Sequence, residues 1–74
     1  MSARGLGDRW LAGERIDGVL FAQSDAVRVR DGRHAGRLGR VLLLADAPPA
    51  AAYLVDLGDG RPARLAQTAL EPAS

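Results

Sequence analysis

The sequence AVRVRDGRHAGRLGRV, residues 26–41, decides the fold of this 74-residue chain. It begins with the alternation of a β-strand, in which Val27 and Val29 point to one side and the arginines that follow each of them point to the other. The turn pair Asp31-Gly32 then interrupts the strand. A second strand signal, the apolar run 41–44, ends the stretch. The pattern therefore predicts two strands joined by a loop.

Three glycines lie within eight residues between these two strand signals, at Gly32, Gly36 and Gly39. Glycine adopts positive φ angles without the steric penalty that other residues meet, and inside a strand it often marks a bulge. We therefore expect a loop with fixed and unusual backbone angles rather than a flexible linker. Gly36 and Gly39 are expected at positive φ or at a bulge.

The basic side chains are concentrated in the same stretch. Five arginines and one aspartate give it a local charge of +4, whereas the whole chain, in which all ten basic residues are arginine, has a net charge of +1. Arginines clustered on a strand and loop contact phosphates and stack on unpaired bases. A solvated strand face in an arginine-rich proteome has the same pattern, so both interpretations stay open. The candidate nucleic-acid-binding residues are Arg28, Arg30, Arg33, His34, Arg37 and Arg40.

The spacing Val27-x-Val29-x-x-Gly32-x-x-x-Gly36-x-x-Gly39-x-Val41 resembles the KOW motif. KOW domains are small SH3-like barrels found in ribosomal proteins and transcription elongation factors, where they contact RNA or protein partners. The resemblance covers residues 26–41, with a looser strand rhythm to about Leu70, and does not reach the first 24 residues. Many KOW strands begin with a glycine where Ser24-Asp25 stands here. The resemblance implies the barrel first and nucleic-acid binding second.

Length and composition limit the classes of protein. A chain of 74 residues is one small domain with a thin core, and without cysteine it has neither disulfides nor thiolate metal ligands. Its almost neutral charge argues against a histone-like nucleic-acid protein. The longest apolar run, 47–55, contains two prolines and is too short to span a bilayer, and the N-terminus does not read as a signal peptide. We expect a cytoplasmic protein with no membrane association.

Five short strands separated by turn signals predict an all-β fold. They are expected at residues 26–30, 38–46, 51–57, 62–66 and 69–71. Asp59-Gly60 is a hairpin signal between the third and fourth strands, and Gln67-Thr68 predicts a short turn before the last. The expected architecture is a small SH3-like barrel over residues 25–72, preceded by an N-terminal segment, residues 1–24, packed on its outside.

The N-terminal segment contains a tail and a buried part. Residues 1–7 carry little to bury and are expected to be a frayed tail. Residues 9–22 contain two of the three aromatic residues of the chain, so they are expected to be buried. Glycines 13 and 18 weaken a helix, and both a short helical turn and an extended conformation remain open.

Strand alternation assigns side chains to the two faces of the sheet. With Asp46 and Asp56 in solvent, the side chains expected inside are Val41, Leu43, Ala45, Tyr53, Val55 and Leu57. The leucines expected outside are Leu42, Leu44 and Leu54. These three need a cover, for which the favoured interpretation is the N-terminal apolar residues Trp10, Ile16, Leu20 and Phe21, and the alternative is a partner surface.

No catalytic, metal or cofactor site is expected. His34 is the one histidine, and neither a nucleophile nor a converging set of metal ligands accompanies it in the sequence. The favoured function is a non-enzymatic module that contacts RNA or a ribonucleoprotein through its basic strand and loop. The alternative is a protein-interaction module or small subunit of a complex, which uses the outer leucines to bind another protein or a second copy of the chain.

Overall fold

The computed structural model describes residues 5–73. The predicted strands are confirmed to within one residue at each end. A short helix precedes the strands, and one turn of 3₁₀ helix precedes the last of them. The elements are α1 (Leu6–Leu11), β1 (Ala26–Val29), β2 (Leu38–Asp46), β3 (Ala52–Asp56), β4 (Pro62–Ala66), the 3₁₀ turn (Gln67–Ala69) and β5 (Leu70–Pro72). None of the helices in the described range has the length and apolar character needed to cross a bilayer.

The five strands form one antiparallel sheet in the order β4-β3-β2-β1-β5. The all-β class is therefore confirmed. Strands β1 to β4 are a simple meander, and β5 returns to pair with β1 at the far side. Within residues 5–73 the two edge strands, β4 and β5, do not pair with each other, so the sheet is not closed.

The connection between the two edge strands requires the sheet to be strongly curled. Only the three residues 67–69 separate β4 from β5. In a flat sheet, four interstrand spacings would put the edges about 19 Å apart. The four residue steps from Ala66 to Leu70 span at most about 14 Å when fully extended, and less in a 3₁₀ turn. One end of the sheet therefore brings its two edges towards each other around a common core.

The core lies on the inner face of this curled sheet. Side chains at alternating positions of β1 and β3 are fully buried. This confirms the inward direction expected for Tyr53 and Val55, and it shows that the side shared by Val27 and Val29 is the inner one. Leu57, just after β3, is also buried as expected. Tyr53 is the largest fully buried side chain and lies at the centre of the apolar cluster.

Strand β2 departs from the expected alternation after Val41. The register between β2 and β3 shifts between Val41 and Leu43 and again between Leu44 and Asp46, as it does at a β-bulge. Each shift reverses the faces of the residues that follow. The expectation that Leu43 and Ala45 face inwards is wrong, because both are exposed, and Leu44, expected outside, packs against the core.

The N-terminal segment also differs from expectation, because its aromatic residues enter the core. The rings of Trp10 and Phe21 lie 6.3 and 5.6 Å from the ring of Tyr53, on the inner face. Leu20, expected to cover the outer leucines, is 74% exposed. The inner face of an unclosed sheet needs a cover, and the two aromatic rings provide it. The helix begins at Leu6, inside the expected tail, while residues 1–4 of that tail lie outside the described residues.

One hydrogen bond within the N-terminal segment and two between the segment and Gln67 hold it in place. The Trp10 indole Nε1–H donates to the Phe21 carbonyl at 2.7 Å. Gln67, at the junction of β4 and β5, donates from Nε2 to the Gly18 carbonyl at 3.0 Å and accepts the Leu20 N–H at 2.9 Å. The Tyr53 hydroxyl also donates to the Gln67 side-chain oxygen. Burial raises the pKa of Tyr53, because the phenolate would lose its hydration there.

The two glycines of the loop and strand are explained differently. Gly36 has φ 89°, which confirms the expectation of a positive angle. The same expectation is wrong for Gly39, which lies in regular pairing opposite Val27, with neither a positive φ nor a bulge. A Cβ atom there would lie 2.6 Å from the Asp56 carbonyl oxygen and 2.7 Å from a Val55 methyl carbon. Gly39 is therefore required by the close approach of β3.

Candidate nucleic-acid interface

The loop between β1 and β2, residues 30–37, is held by its own backbone hydrogen bonds. The Gly36 N–H donates to the Val29 carbonyl at 2.7 Å, and the Val29 N–H donates to the Arg37 carbonyl at 2.8 Å. Two turns inside the loop are closed by hydrogen bonds: the Ala35 N–H donates to the Gly32 carbonyl, and the Arg37 N–H donates to the His34 carbonyl. The loop therefore presents its side chains from a defined backbone.

Two of the six candidate residues form ion pairs within the protein. Arg28 projects outwards from β1 beside Glu71 of β5, with 3.8 Å between Nη1 and Oε2. Arg37 donates from Nη2 to the Leu57 carbonyl at 2.9 Å and lies 3.9 Å from the Asp59 carboxylate. Both ion pairs are about half exposed, so they add little stability, but each lowers the positive potential that a phosphate would meet.

Arg40 is also engaged within the protein. Its Nη1 donates to the Ser24 carbonyl at 3.0 Å, and in the sheet register it stands directly opposite Asp56. Opposite charges at facing positions of neighbouring strands attract each other. The sequence placed Arg40 in the basic patch, whereas the structure gives it a backbone acceptor and an acidic neighbour.

Arg30 and Arg33 remain without a carboxylate at ion-pairing distance among residues 5–73, and both are exposed. Arg30 directly follows β1, and its N–H donates to the Ala69 carbonyl at 2.8 Å. Arg33 lies in the loop next to His34, which is half-buried. Of the six candidates, these two arginines have the guanidinium groups most available to a ligand.

A groove that the sequence did not predict lies beside this loop. One wall is formed by residues 31–34 and the other by Asp59 and residues 61–65, and the groove has a volume of about 430 Å³. Arg61 and Arg64 of the second wall face Arg33 and His34 of the first. Arg64 is ion-paired with Asp46, across β3, whereas Arg61 has no carboxylate at that distance within the described range.

Local sequence carries no signal for this juxtaposition. The hairpin after Leu57 and the strand at 62–66 were predicted, which puts Arg61 in the hairpin and Arg64 in the strand. Their approach to Arg33 depends on the curl of the sheet, which brings the β1–β2 loop to the side of β4 although the two are more than 25 residues apart. Only the order of the strands in the sheet would have predicted that Arg61 and Arg64 lie near Arg33.

The side chains that line the groove carry more positive than negative charge, which favours an anion. Three arginines and a histidine line it, against the two carboxylates of Asp31 and Asp59. The aromatic rings of Trp10, Phe21 and Tyr53 are buried, so base stacking on an aromatic surface is not available there. No group of three metal-ligating side chains occurs in the part of the chain that the structure describes.

The alternative apolar interface becomes smaller in the structure. Of its three leucines, Leu44 packs against the core, and Leu42 and Leu54 are half-buried. Leu54 stands opposite the exposed Leu43 of β2 and opposite Arg64 of β4. The apolar part of this outer face is therefore centred on Leu43 and Leu54 rather than on the set that the sequence indicated.

Comparison of the chain with protein-family models, with curated proteins and with solved structures gives no match. Function is therefore inferred from the residues and their geometry.

Proposed function

We propose that this protein is a non-enzymatic binding module that contacts RNA, alone or in a ribonucleoprotein, through the loop 30–34 and the facing start of β4. The observation that carries the proposal is the groove in which Arg33 and His34 stand opposite Arg61. Arg30 extends the same basic surface along the end of β1. Guanidinium groups arranged on two walls provide donors that fit phosphate oxygens from both sides.

We further propose that the curled sheet is an SH3-like barrel. A four-strand meander, a fifth strand returning beside the first and a link of three residues between the edge strands support this assignment. The resemblance of residues 27–41 to the KOW motif supports it as well. The first loop of this sheet carries the available arginines, Arg30 and Arg33.

The internal partners of Arg28, Arg37 and Arg40 reduce the number of phosphate contacts that the surface makes. Arg30, Arg33 and Arg61 remain, so we expect about three contacts and a salt slope near −2 on single-stranded RNA, at about −0.7 per contact. Binding is expected to be weak and almost independent of sequence, because phosphate contacts position a nucleic acid without specifying it.

A charge-matched pair of variants tests this proposal. Arg30→Gln/Arg33→Gln removes two cations from the binding surface. Arg9→Gln/Arg15→Gln removes the same charge from the N-terminal segment, where Arg9 forms only an exposed ion pair with Glu14. RNA affinity would be measured by fluorescence anisotropy over a series of salt concentrations, with melting curves to show that both variants fold.

The first variant is expected to bind RNA more weakly and to flatten the salt slope by about 1.4. The second is expected to keep the wild-type slope. Absence of RNA binding by the wild type at low salt, or equal losses in the two variants, would contradict the proposal and favour a protein-interaction module.

A further inference from the structure

Strand β4 has one edge without a strand partner. It pairs with β3 on one side, and its other side forms a wall of the groove opposite residues 31–34. An unpaired edge presents a row of backbone donors and acceptors that a further strand can satisfy. The question is which groups of β4 point to this edge.

A hydrogen bond at the end of β4 shows which of its backbone groups point to the free edge. The Gln67 N–H donates to the Ala51 carbonyl at 2.9 Å, which makes Ala51 and Gln67 a hydrogen-bonded pair. Hydrogen-bonded and non-hydrogen-bonded pairs alternate along antiparallel strands. The next position, Ala66, and then Arg64 and Pro62, are therefore the non-hydrogen-bonded positions of β4 in the register with β3.

At such positions the N–H and C=O groups point away from the partner strand. The N–H groups of Arg64 and Ala66 are thus directed to the free edge, where no other strand of the described residues pairs with β4. Pro62 occupies the first of these three outward positions, where the absence of an N–H costs no bond to β3. The position of Pro62 is therefore consistent with this alternation of hydrogen-bonded and non-hydrogen-bonded pairs.

The charges beside the edge select the kind of segment that fits. Arg33 and Arg61 flank the groove, neither of them ion-paired with a carboxylate of residues 5–73, and His34 lies next to them. Of the two acidic residues in the walls, Asp59 is ion-paired with Arg37, and Asp31 remains. The excess of cations favours side chains with carboxylates and disfavours lysine or arginine.

We propose that the free edge of β4 binds an extended acidic peptide segment of a partner protein as an added strand. The backbone of the segment pairs with the outward groups of Arg64 and Ala66, and its carboxylates meet Arg33 and Arg61. This mode of recognition takes affinity from the main chain and specificity from alternate side chains. It goes beyond RNA binding, because it uses backbone groups of β4 that phosphate contacts do not require.

Two features of the edge limit indiscriminate pairing. Pro62 removes a donor at the start of the strand, and the charged Arg64 occupies its centre. Both devices are common on natural edge strands, where they oppose aggregation. They leave a window of only a few residues, which a short segment of matching charge can use and a long apolar strand cannot.

Ala66→Pro removes one outward donor and is compatible with the fold. Ala66 has φ −67°, which is the angle that proline imposes, and its N–H makes no bond to β3. The probe would be a capped peptide of alternating glutamate and valine, compared with one of alternating lysine and valine. Binding would be measured by calorimetry and by backbone amide shifts.

We expect the wild type to bind the acidic peptide and not the basic one, with the largest amide shifts at Arg64 and Ala66. Ala66→Pro is expected to weaken acidic-peptide binding roughly 3- to 10-fold, the range for one hydrogen bond. Arg33→Gln/Arg61→Gln is expected to weaken it as well, whereas the charge-matched Arg9→Gln/Arg15→Gln is not. Melting curves would establish that each variant folds.

Equal affinity of wild type and Ala66→Pro for the acidic peptide would overturn the proposal, as would equal binding of the two peptides. Self-association of the wild type that Ala66→Pro abolishes, without peptide binding, would assign the edge to a second copy of the chain instead. RNA binding is expected to be unchanged in Ala66→Pro. Failure here is therefore distinguishable from failure of the proposed RNA binding.

Discussion

The loop 30–37 and strand β2 are consecutive in the chain, and each contains a glycine of the same motif, but they are built under opposite constraints. Gly36 in the loop has φ 89° and open space around its Cα hydrogens. Gly39 in β2 has ordinary strand angles, and a Cβ atom there would be within 2.8 Å of three atoms of residues 55–57. The loop requires glycine for its backbone angle, and the strand requires it for space.

This difference separates the residues that stabilise the fold from those that give the loop its charge. The loop is closed by local turns, and its arginines other than Arg37 are exposed without an ion pair among the described residues, so changes at Arg30 and Arg33 alter charge and leave packing in place. Strand β2 crosses the middle of the sheet, paired with β1 at one end and β3 along most of its length. Changes in β2 act on the fold directly.

The largest expected effect is a contrast between two identical substitutions. Gly39→Asn places side-chain atoms against the Asp56 backbone and is expected to cost about 3 kcal/mol or more, since overpacking next to a rigid backbone cannot relax. A domain of this size has only about 3–5 kcal/mol from its core, so the variant should be largely unfolded. Far-ultraviolet circular dichroism and thermal melting would measure it.

Gly36→Asn is the matched control. Asparagine is one of the residues that tolerate positive φ, and nothing lies within 4 Å of the added Cβ, so a loss below about 1 kcal/mol is expected. Similar melting temperatures for the two variants would show that the close approach at Gly39 is not a constraint on the fold.

The second contrast lies within β2, between its two register shifts. Leu44→Ala is expected to cost about 1–3 kcal/mol, because the side chain packs against the core. Leu43→Ala is expected to cost less than about 0.5 kcal/mol, because Leu43 is 44% exposed. Urea denaturation of the two variants would measure the difference. A larger loss of stability for Leu43→Ala than for Leu44→Ala would support the alternation expected from the sequence and contradict the bulge.

The sequence was sufficient where local pattern and tertiary structure agree. The strand positions, the hairpin at Asp59-Gly60 and the inward side chains of β1 and β3 follow from alternation and turn residues. Alternation fails in β2, because a bulge is set by the bending of a long strand between two neighbours and leaves no mark among consecutive leucines.

The candidate site divides in the same way. The sequence identified the arginines of the loop, but their charges were counted without the acids that the fold places beside them. Glu71, Asp59 and Asp56 come from β5, from the β3–β4 hairpin and from β3, and each stands next to one candidate arginine. Arg61 joins the surface through the curl of the sheet. Such pairings are long-range and depend on strand order.

The smallest effect concerns pH, and it separates the packed core from the arginine-bearing loop. Burial raises the pKa of Tyr53 above its ordinary value of about 10. The unfolded chain then loses the phenolic proton at a lower pH than the folded protein does. Stability is therefore full below about pH 10 and falls as the pH rises through the unfolded and then the folded pKa.

The composition makes this measurement clean. The chain contains no lysine, no cysteine and no second tyrosine, and its arginines stay protonated, so the loop keeps its charge while Tyr53 titrates. Denaturation at pH values from about 9 to about 11 should show a decline in the wild type that is absent in Tyr53→Phe. The ultraviolet absorbance of the phenolate should report a higher midpoint in the folded protein than in denaturant. Equal midpoints would mean that the Tyr53 hydroxyl is hydrated, and that the N-terminal segment does not seal the core as its contacts with Gln67 indicate.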